Sequence, residues 1–231
     1  MDSKNVICFD IGGTFVKYGV LDYEGNILTK DSFQSNADNG QEILDNMCEV
    51  VKKYIKLYKI EGISISSPGF VDVENGIITA GTIIDGFIGL NMKKYFGDKF
   101  GLPIAIDNDA NCATIAEHKL GNGKGCKNLV CVTIGTGIGG GIIINNDIYH
   151  GSKFMAGEFG FMFINGTKRE NPDHYIYSNY ASTRALVEKA NKRLHEEVDG
   201  KEIFERAKSG DIDCKEILDE FFDDLSLGIY N

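Results

Sequence analysis

Two glycine-rich turns and one acidic corner hold the residues of this sequence whose types could do chemistry. The first turn is "DIGGT", which begins at Asp10, and the second is "IGTGIGGG", which begins at Ile134. The corner is "DND", residues 107–109. Turns without side chains let backbone N–H groups approach an anion such as phosphate closely. A nearby carboxylate can accept a proton or contact Mg²⁺.

The second turn matches the dinucleotide fingerprint G-x-G-x-x-G at Gly135, Gly137 and Gly140. That fingerprint needs a helix directly afterwards, whose N-terminus meets the pyrophosphate. The following residues, "GIIINNDIY", are β-branched and lack helical spacing, so this interpretation fails. The P-loop pattern G-x-x-x-x-G-K-[ST] does not occur in the sequence. Both turns therefore predict β-hairpins that hold phosphate.

The two aspartates of these motifs each have a functional and a structural interpretation. Asp109 falls where a strand meets a helix, and the helix dipole there would keep its carboxylate ionised, as a general base requires. The alternative is that Asn108 or Asp109 only caps the helix. Asp10 could contact Mg²⁺ directly or through water, or it could be only a turn residue. The residues alone leave both alternatives open.

Composition restricts the classes of function. The chain of 231 residues is 42% hydrophobic and 25% charged, as in ordinary globular proteins. A formal charge of −10 argues against nucleic-acid and anionic membrane partners. The six cysteines form no C-x-C or C-x-x-C pair, and the sequence shows no signal peptide or long apolar run. These features predict reduced thiols and a cytoplasmic location.

The pattern of apolar residues predicts the elements that position the motifs. Three strands around the first turn form an antiparallel meander, and apolar spacing predicts a helix over Gln41–Tyr58. "GISISSPGFV" is a buried strand that runs into a turn, and a helix is expected over Ala110–Leu120. The polar stretch "GNGKGCKN" is the best linker, so the domains are expected at 1–120 and 121–231.

The two halves of the chain carry a weak internal repeat. A shift of 123 residues places Ile7, Cys8, Ile11 and Gly12 over Val130, Cys131, Ile134 and Gly135. Each half then opens with a strand, a glycine turn, a second strand and another turn. This repeat predicts two lobes of common design, although two glycine hairpins could also look alike by chance.

Five motifs together resemble the ROK family of the sugar-kinase, Hsp70 and actin superfamily. They are "DIGGT", "SSPGFVD", "DNDANCATIAE", "IGTGIGGG" and "AGEFG", and the resemblance extends from about Val6 to Leu186. It implies a bilobal α/β fold of the actin-like, ribonuclease H-like type, with two mixed sheets flanked by helices. ATP would lie in the cleft, held by a hairpin from each lobe.

The resemblance also assigns roles to individual residues. Asp109 matches the catalytic base. The positions that hold sugar hydroxyls match Gly69, Thr82, Asn108, Asp109 and Glu158. The positions that hold ATP match Asp10, Gly12, Gly13, Thr14, Lys17, Gly135, Thr136, Gly137 and Gly139, with Asp10 reaching Mg²⁺ through the nucleotide.

The sequence departs from the family where most members bind structural zinc. Phe161 replaces the family's histidine, no cysteine lies between Cys131 and Cys214, and Ser178 stands for a second glutamate. A thiolate zinc site cannot be built from these residues. The aromatic residues of "GEFGFMF" and Tyr175, Tyr177 and Tyr180 resemble the β-glucoside kinase branch, whose pocket would suit a larger or aryl-bearing sugar. Alternatively, these rings only fill the volume of the zinc loop.

The expected function is that of an ATP- and Mg²⁺-dependent sugar kinase. It would transfer the γ-phosphoryl group to a hydroxyl of a glucose-like sugar or a β-glucoside. The expected acceptor is the 6-hydroxyl. A ROK transcriptional repressor is disfavoured, because the chain enters its first strand at about Val6 and carries a charge of −10. A non-catalytic sugar sensor stays possible, although Asp109 and both phosphate loops are retained. A homodimer is compatible with the resemblance.

The C-terminal stretch predicts a strongly amphipathic helix from Cys214 onwards. We expect nothing to pack on its apolar face, because family members continue beyond this helix with a strand and an adenosine-binding loop. The second lobe is therefore expected to be incomplete, with an exposed sheet edge and a sticky helix face.

We predict that the purified protein contains no stoichiometric zinc but needs added Mg²⁺ for activity, which EDTA would abolish. Metal analysis of the purified chain tests the first part. A stoichiometric zinc content would contradict it and would make His150 and His174 the first candidate ligands.

Overall fold

The structure, a computed structural model, describes residues 4–166 and 175–231. The chain divides into two compact units. The first contains the residues up to Cys112 together with His150–Met155, and the second contains Ala113–Tyr149 and Ala156–Asn231. The division falls inside a helix rather than at the polar stretch "GNGKGCKN".

A five-stranded mixed sheet forms the centre of the first unit. Its strand order is β3-β2-β1-β4-β7, with antiparallel pairing among the first three strands and parallel pairing among the last three. The strands are β1 Asn5–Ile11, β2 Phe15–Asp22, β3 Ile27–Gln34, β4 Ile60–Ser67 and β7 Ile104–Asn108. A separate hairpin pairs β5 Phe70–Asp72 with β6 Ile77–Ala80.

Three helices alternate with these strands; the first follows β3, the second follows the β5–β6 hairpin and the third follows β7. They are α1 Gly40–Tyr54, α2 Met92–Phe100 and α3 Asp109–Lys119. Alternate residues of β1, Ile7, Phe9 and Ile11, are buried in the same core as the apolar face of α1. The helix α1 ends earlier than Tyr58, because the residues after Tyr54 form the turn that leads into β4.

The second unit repeats the opening meander. Its sheet has the order β10-β9-β8, from β8 Leu129–Ile134, β9 Ile138–Ile144 and β10 Asp147–Ile148. In the first hairpin Ile11 faces Val16, and in the second Ile134 faces Ile138, so the second turn is shorter. Both glycine turns therefore open onto strands, as the sequence predicts.

Helices make up the rest of the second unit. They are α4 Ser178–Ala181, α5 Thr183–Leu194, α6 Gly200–Lys208 and α7 Ile212–Tyr230, preceded by a short 3₁₀ helix at Phe159–Phe161. In the part of the chain that the structure describes, every helix is too short or too polar to cross a bilayer.

The expectation that α7 has a bare apolar face is wrong for most of its length. Cys214, Ile217 and Phe221 are buried in one cluster with apolar residues of α5 and α6. Those two helices come earlier in the chain, and α6 directly precedes α7. Towards the end of the helix Phe222 and Ile229 stay 45% and 66% exposed. Within the described residues, β8 pairs only with β9.

Gly228 lets α7 approach the ring of Tyr177 closely. A Cβ atom at position 228 would overlap that ring. Tyr177 is only 1% exposed, and its hydroxyl donates to the carbonyl of Leu225 at 2.8 Å. Gly97 of α2 offers a comparison, because a Cβ there would meet nothing within 4 Å.

We predict that Gly228→Ala lowers the free energy of unfolding by about 1–3 kcal/mol, the usual cost of overpacking. Gly97→Ala should raise it by roughly 0.5–1 kcal/mol, because alanine restricts the unfolded chain and favours a helix. Urea denaturation of both variants checks this. Equal effects of the two substitutions would contradict the packing argument.

Candidate active site

The first glycine turn presents the carboxylate of Asp10 at the end of β1. Its Oδ1 accepts a hydrogen bond from the Ser66 hydroxyl at 2.9 Å, and its Oδ2 lies 3.7 Å from Nζ of Lys17. The side chain is 52% exposed. The N–H of Gly12 donates to the carbonyl of Phe15 at 3.0 Å and so closes the turn. A carboxylate that is fixed on one side and open on the other fits a contact to Mg²⁺, directly or through water.

The acidic corner joins β7 to α3. The Nδ2 of Asn108 donates to the carbonyl of Gly69 at 2.9 Å. Its Oδ1 accepts from the backbone N–H groups of Ala110 and Asn111, at 2.9 and 3.3 Å. Asn108 therefore caps α3, which is the structural interpretation of this residue given above. It also links the corner to the turn after β4.

Gly69 and Thr82 lie close together in the same unit. Gly69 has φ of +96°, and a Cβ there would come within 2.5 Å of the carbonyl of Ala80 and 3.0 Å of the Thr82 nitrogen. The position therefore requires glycine. The Thr82 hydroxyl accepts from the N–H of Ile84 at 3.2 Å. The first unit thus brings Gly69 together with Asn108 on one side and Thr82 on the other.

The second glycine turn meets the N-terminus of α5. The N–H of Gly135 donates to the carbonyl of Gly137, and the N–H of Thr183 donates to the carbonyl of Gly135, both at 2.9 Å. Arg184 donates from Nε to the carbonyl of Thr136 at 3.4 Å. Gly135, Thr136 and Gly137 are themselves exposed. Free N–H groups of a turn beside a helix start favour phosphate.

Sequence analysis missed the contacts of α5 and Arg184 with the second glycine turn. The helix comes more than 40 residues after the turn, and nothing in the turn's own pattern indicates it. The available signal was "STRA", where the Ser182 hydroxyl caps the helix by accepting from the N–H of Ala185 at 3.1 Å.

Comparison with known proteins identifies the family. A family model described as "ROK family" matches residues 6–231. The chain belongs to the ROK family. A β-glucoside kinase of Listeria monocytogenes is 36% identical over 98% of this chain and 77% of its own length.

Two solved structures agree with this assignment. A Listeria monocytogenes protein, described as a proposed N-acetylmannosamine kinase, superimposes with a TM-score of 0.91. It is 35% identical over 98% of this chain and 78% of its own. A ROK glucokinase of Streptomyces griseus, bound to glucose and AMPPNP, has a TM-score of 0.80. It is 29% identical over 97% of this chain and 78% of its own. The actin-like fold expected from the motifs is therefore confirmed.

Glu158 of this ROK protein lies in the second unit, whereas Gly69, Thr82, Asn108 and Asp109 lie in the first. It immediately precedes the 3₁₀ helix and is half-buried. The preceding Gly157 has φ of +86°, and a Cβ there would come 2.7 Å from the carbonyl of Gly140. This close approach of two glycines fixes the backbone next to Glu158 against β9.

The aromatic segment of the ROK chain divides into exposed and buried rings. Phe161 and Phe163 are 56% and 48% exposed, whereas Tyr177 is buried and packs on Gly228. Tyr177 is therefore not part of an open aromatic surface. The Ser178 hydroxyl accepts from the N–H of Ile138 at 3.0 Å, which ties α4 to β9.

Among residues 4–166 and 175–231, no group of three or more His, Cys, Asp or Glu side chains could hold a metal ion. His174 lies outside the described residues. All six cysteines lie within them and are free thiols. Burial raises the pKa of Cys8 to about 11 and that of Cys112 to about 12. Both thiols therefore stay protonated at neutral pH.

Burial raises the pKa of the Asp109 carboxyl, and the negative charge of Asp10 acts in the same direction. The N–H of Ala110 donates to its Oδ1 at 2.8 Å and opposes the shift. The effect of desolvation on this pKa is thus larger than the opposing effect of the hydrogen bond at the helix start. A raised pKa brings a carboxylate closer to the value that suits a general base.

We predict that Asp109→Asn raises Tm at pH 7. A carboxyl whose pKa is raised by folding stabilises the protein only while it is protonated, and this stability is lost as pH rises through the folded-state pKa. Asparagine removes the desolvated charge and keeps an oxygen for the Ala110 N–H.

Calorimetric scans at pH values from 7 down towards 4 measure the difference in Tm between Asp109→Asn and the wild type. This difference should narrow as the pH falls. Asp38→Asn serves as the control, because Asp38 is exposed on a loop. An Asp109→Asn variant that is less stable than the wild type at pH 7 would contradict the prediction.

Proposed function

We infer that this protein is an ATP-dependent sugar kinase that transfers the γ-phosphoryl group to a hydroxyl, the 6-hydroxyl, of a glucose-like sugar or β-glucoside. The observation that carries the proposal is Asp109, a carboxylate whose pKa is raised by desolvation, at the start of α3 and next to Asn108. Membership of the ROK family supports it, and so does the likeness to a β-glucoside kinase over nearly the whole chain.

In the proposed reaction Asp109 accepts the proton of the attacking sugar hydroxyl. Phosphoryl transfer needs a positioned nucleophile and neutralised charge more than covalent chemistry, so one base is sufficient. Asn108, Gly69, Thr82 and Glu158 are the proposed contacts of the sugar hydroxyls. Asn108 suits this role because its amide is already fixed by the carbonyl of Gly69 and the first turn of α3.

The two glycine turns are the proposed phosphate contacts. In the first unit they are Asp10, Gly12, Gly13, Thr14 and Lys17, and in the second Gly135, Thr136, Gly137 and Gly139. Mg²⁺ would supply neutralisation of the developing phosphate charge, and Asp10 would hold it. Lys17, 73% exposed, can move from Asp10 to a phosphate oxygen at little cost, because the surface ion pair between them is weak.

The proposed acceptor is a β-glucoside rather than a small N-acetyl sugar. Phe161 and Phe163 are about half-exposed, and rings that only filled an internal volume would be buried. Exposed rings suit the apolar face of a second sugar ring or an aryl group. The name of the similar Listeria monocytogenes structure points instead to N-acetylmannosamine, and this is the alternative substrate.

We predict that Asp109→Asn lowers kcat about 10²–10⁴-fold, the usual contribution of a general base. The KM for sugar should change little, because asparagine keeps the shape of the side chain. Asp38→Asn is the control and should leave kcat unchanged.

ATP consumption would be measured with glucose, cellobiose, an aryl β-glucoside and N-acetylmannosamine. Near-normal turnover by Asp109→Asn would exclude the assigned base. A higher kcat/KM for N-acetylmannosamine than for the β-glucosides would refute the acceptor and leave the kinase intact. Sugar binding without ATP consumption in the wild type would indicate a non-catalytic sensor.

A further inference from the structure

His150 makes a short contact with the acidic corner. Its Nε2 lies 2.7 Å from Oδ2 of Asp107, and the two side chains are only 20% and 14% exposed. An ionised carboxylate can only accept hydrogen bonds, so the imidazole carries its proton on Nε2 and donates it. A half-buried bond to a charged acceptor is among the stronger hydrogen bonds of a protein.

The other oxygen of Asp107 holds the corner from inside. Oδ1 accepts from the backbone N–H of Asn108 at 2.7 Å and from Nδ2 of Asn111 at 3.0 Å. Asn111 is 4% exposed, and its Oδ1 has no hydrogen-bond partner. The amide of Asn111 therefore depends on Asp107 for the polar contact that offsets its burial.

The segment that carries His150 belongs to a different unit from the residues that flank it in the chain. His150–Met155 belongs to the first unit, while the residues before and after it belong to the second. Phe154 adopts φ of +56°, which is strained for a bulky side chain, and its ring lies 6.3 Å from that of His150. Such strain persists only where surrounding contacts impose it. The bond from His150 to Asp107 is a contact that this segment makes within the first unit.

We propose that His150 is a positioning residue, which fixes through Asp107 the corner that carries Asn108 and Asp109. This inference rests on the proposed function, because Asp109 is a base only in the kinase reaction. Asp107 contacts the N–H of Asn108, directly before the base, and the side chain of Asn111, two residues after it. Without the imidazole, Oδ2 of Asp107 loses its hydrogen-bond donor, and the carboxylate is held only through Oδ1. A displacement of about 1 Å at a reacting group costs roughly 100-fold in rate.

Two substitutions separate positioning from packing. His150→Gln places an amide Nε2 where the imidazole Nε2 lies and keeps a donor for Asp107, whereas His150→Leu keeps bulk and removes the donor. Lys153→Leu is the control, because Lys153 is an exposed residue of the same segment. We expect His150→Leu to lower kcat by about 10–100-fold and to leave the KM for ATP unchanged. His150→Gln should recover kcat to within about threefold, and Lys153→Leu should have no effect.

Hydrogen exchange provides a readout that does not need catalysis. The N–H groups of Asn108, Ala110 and Asn111 should exchange faster in His150→Leu than in the wild type, and His150→Gln should restore their protection. If the wild type consumes no ATP with any sugar, the proposed function fails, and exchange at these amides still decides whether His150 fixes the corner. Unchanged exchange in His150→Leu, or an equal loss of kcat in both His150 variants, would overturn the proposal.

Discussion

The hydrogen bonds of the Asn108 side-chain amide are the interactions on which the site of the first unit depends. It donates to the carbonyl of Gly69 and accepts from the first turn of α3, so it joins the turn after β4, the end of β7 and the helix. This position needs a hydrogen-bond acceptor and a hydrogen-bond donor in one short side chain, and the Oδ1 and Nδ2 of asparagine supply them. Gly69 can present its carbonyl there because its positive φ and the close carbonyl of Ala80 exclude a side chain.

Three carboxylates of the first unit lie in the first glycine turn and the acidic corner, and each has different partners. Asp10 lies next to Ser66 and Lys17 and is half-exposed. Asp107 is held by His150, Asn111 and a backbone N–H. For Asp109, burial is the largest influence and raises its pKa. The group proposed as the base is thus the one whose surroundings favour binding a proton, while the neighbouring charges are matched by donors.

The local features of this fold could be predicted from the sequence. Glycine turns between alternating strands predicted both hairpins, and the cap at Asn108 predicted the start of α3, because these signals lie within a few residues of each other. Contacts between distant segments could not be predicted in this way. Examples are the pairing of His150 with Asp107, the N-terminus of α5 at Gly135 and the cover of α7 by α5 and α6. Desolvation of Asp109 belongs to the same class, because the groups that remove water from its carboxyl are not evident from the neighbouring residues.

The repeated hairpins show how one local structure serves two chemistries. In the first, Asp10 pairs across the strands with Lys17, so a carboxylate and an ammonium group flank the turn. At the matching place in the second, Thr133 pairs with Gly139, and neither residue is charged. The second turn must therefore rely on backbone N–H groups and on the start of α5 to favour an anion. Only the first hairpin has a carboxylate at this position, and for this reason the proposed Mg²⁺ contact is assigned to Asp10.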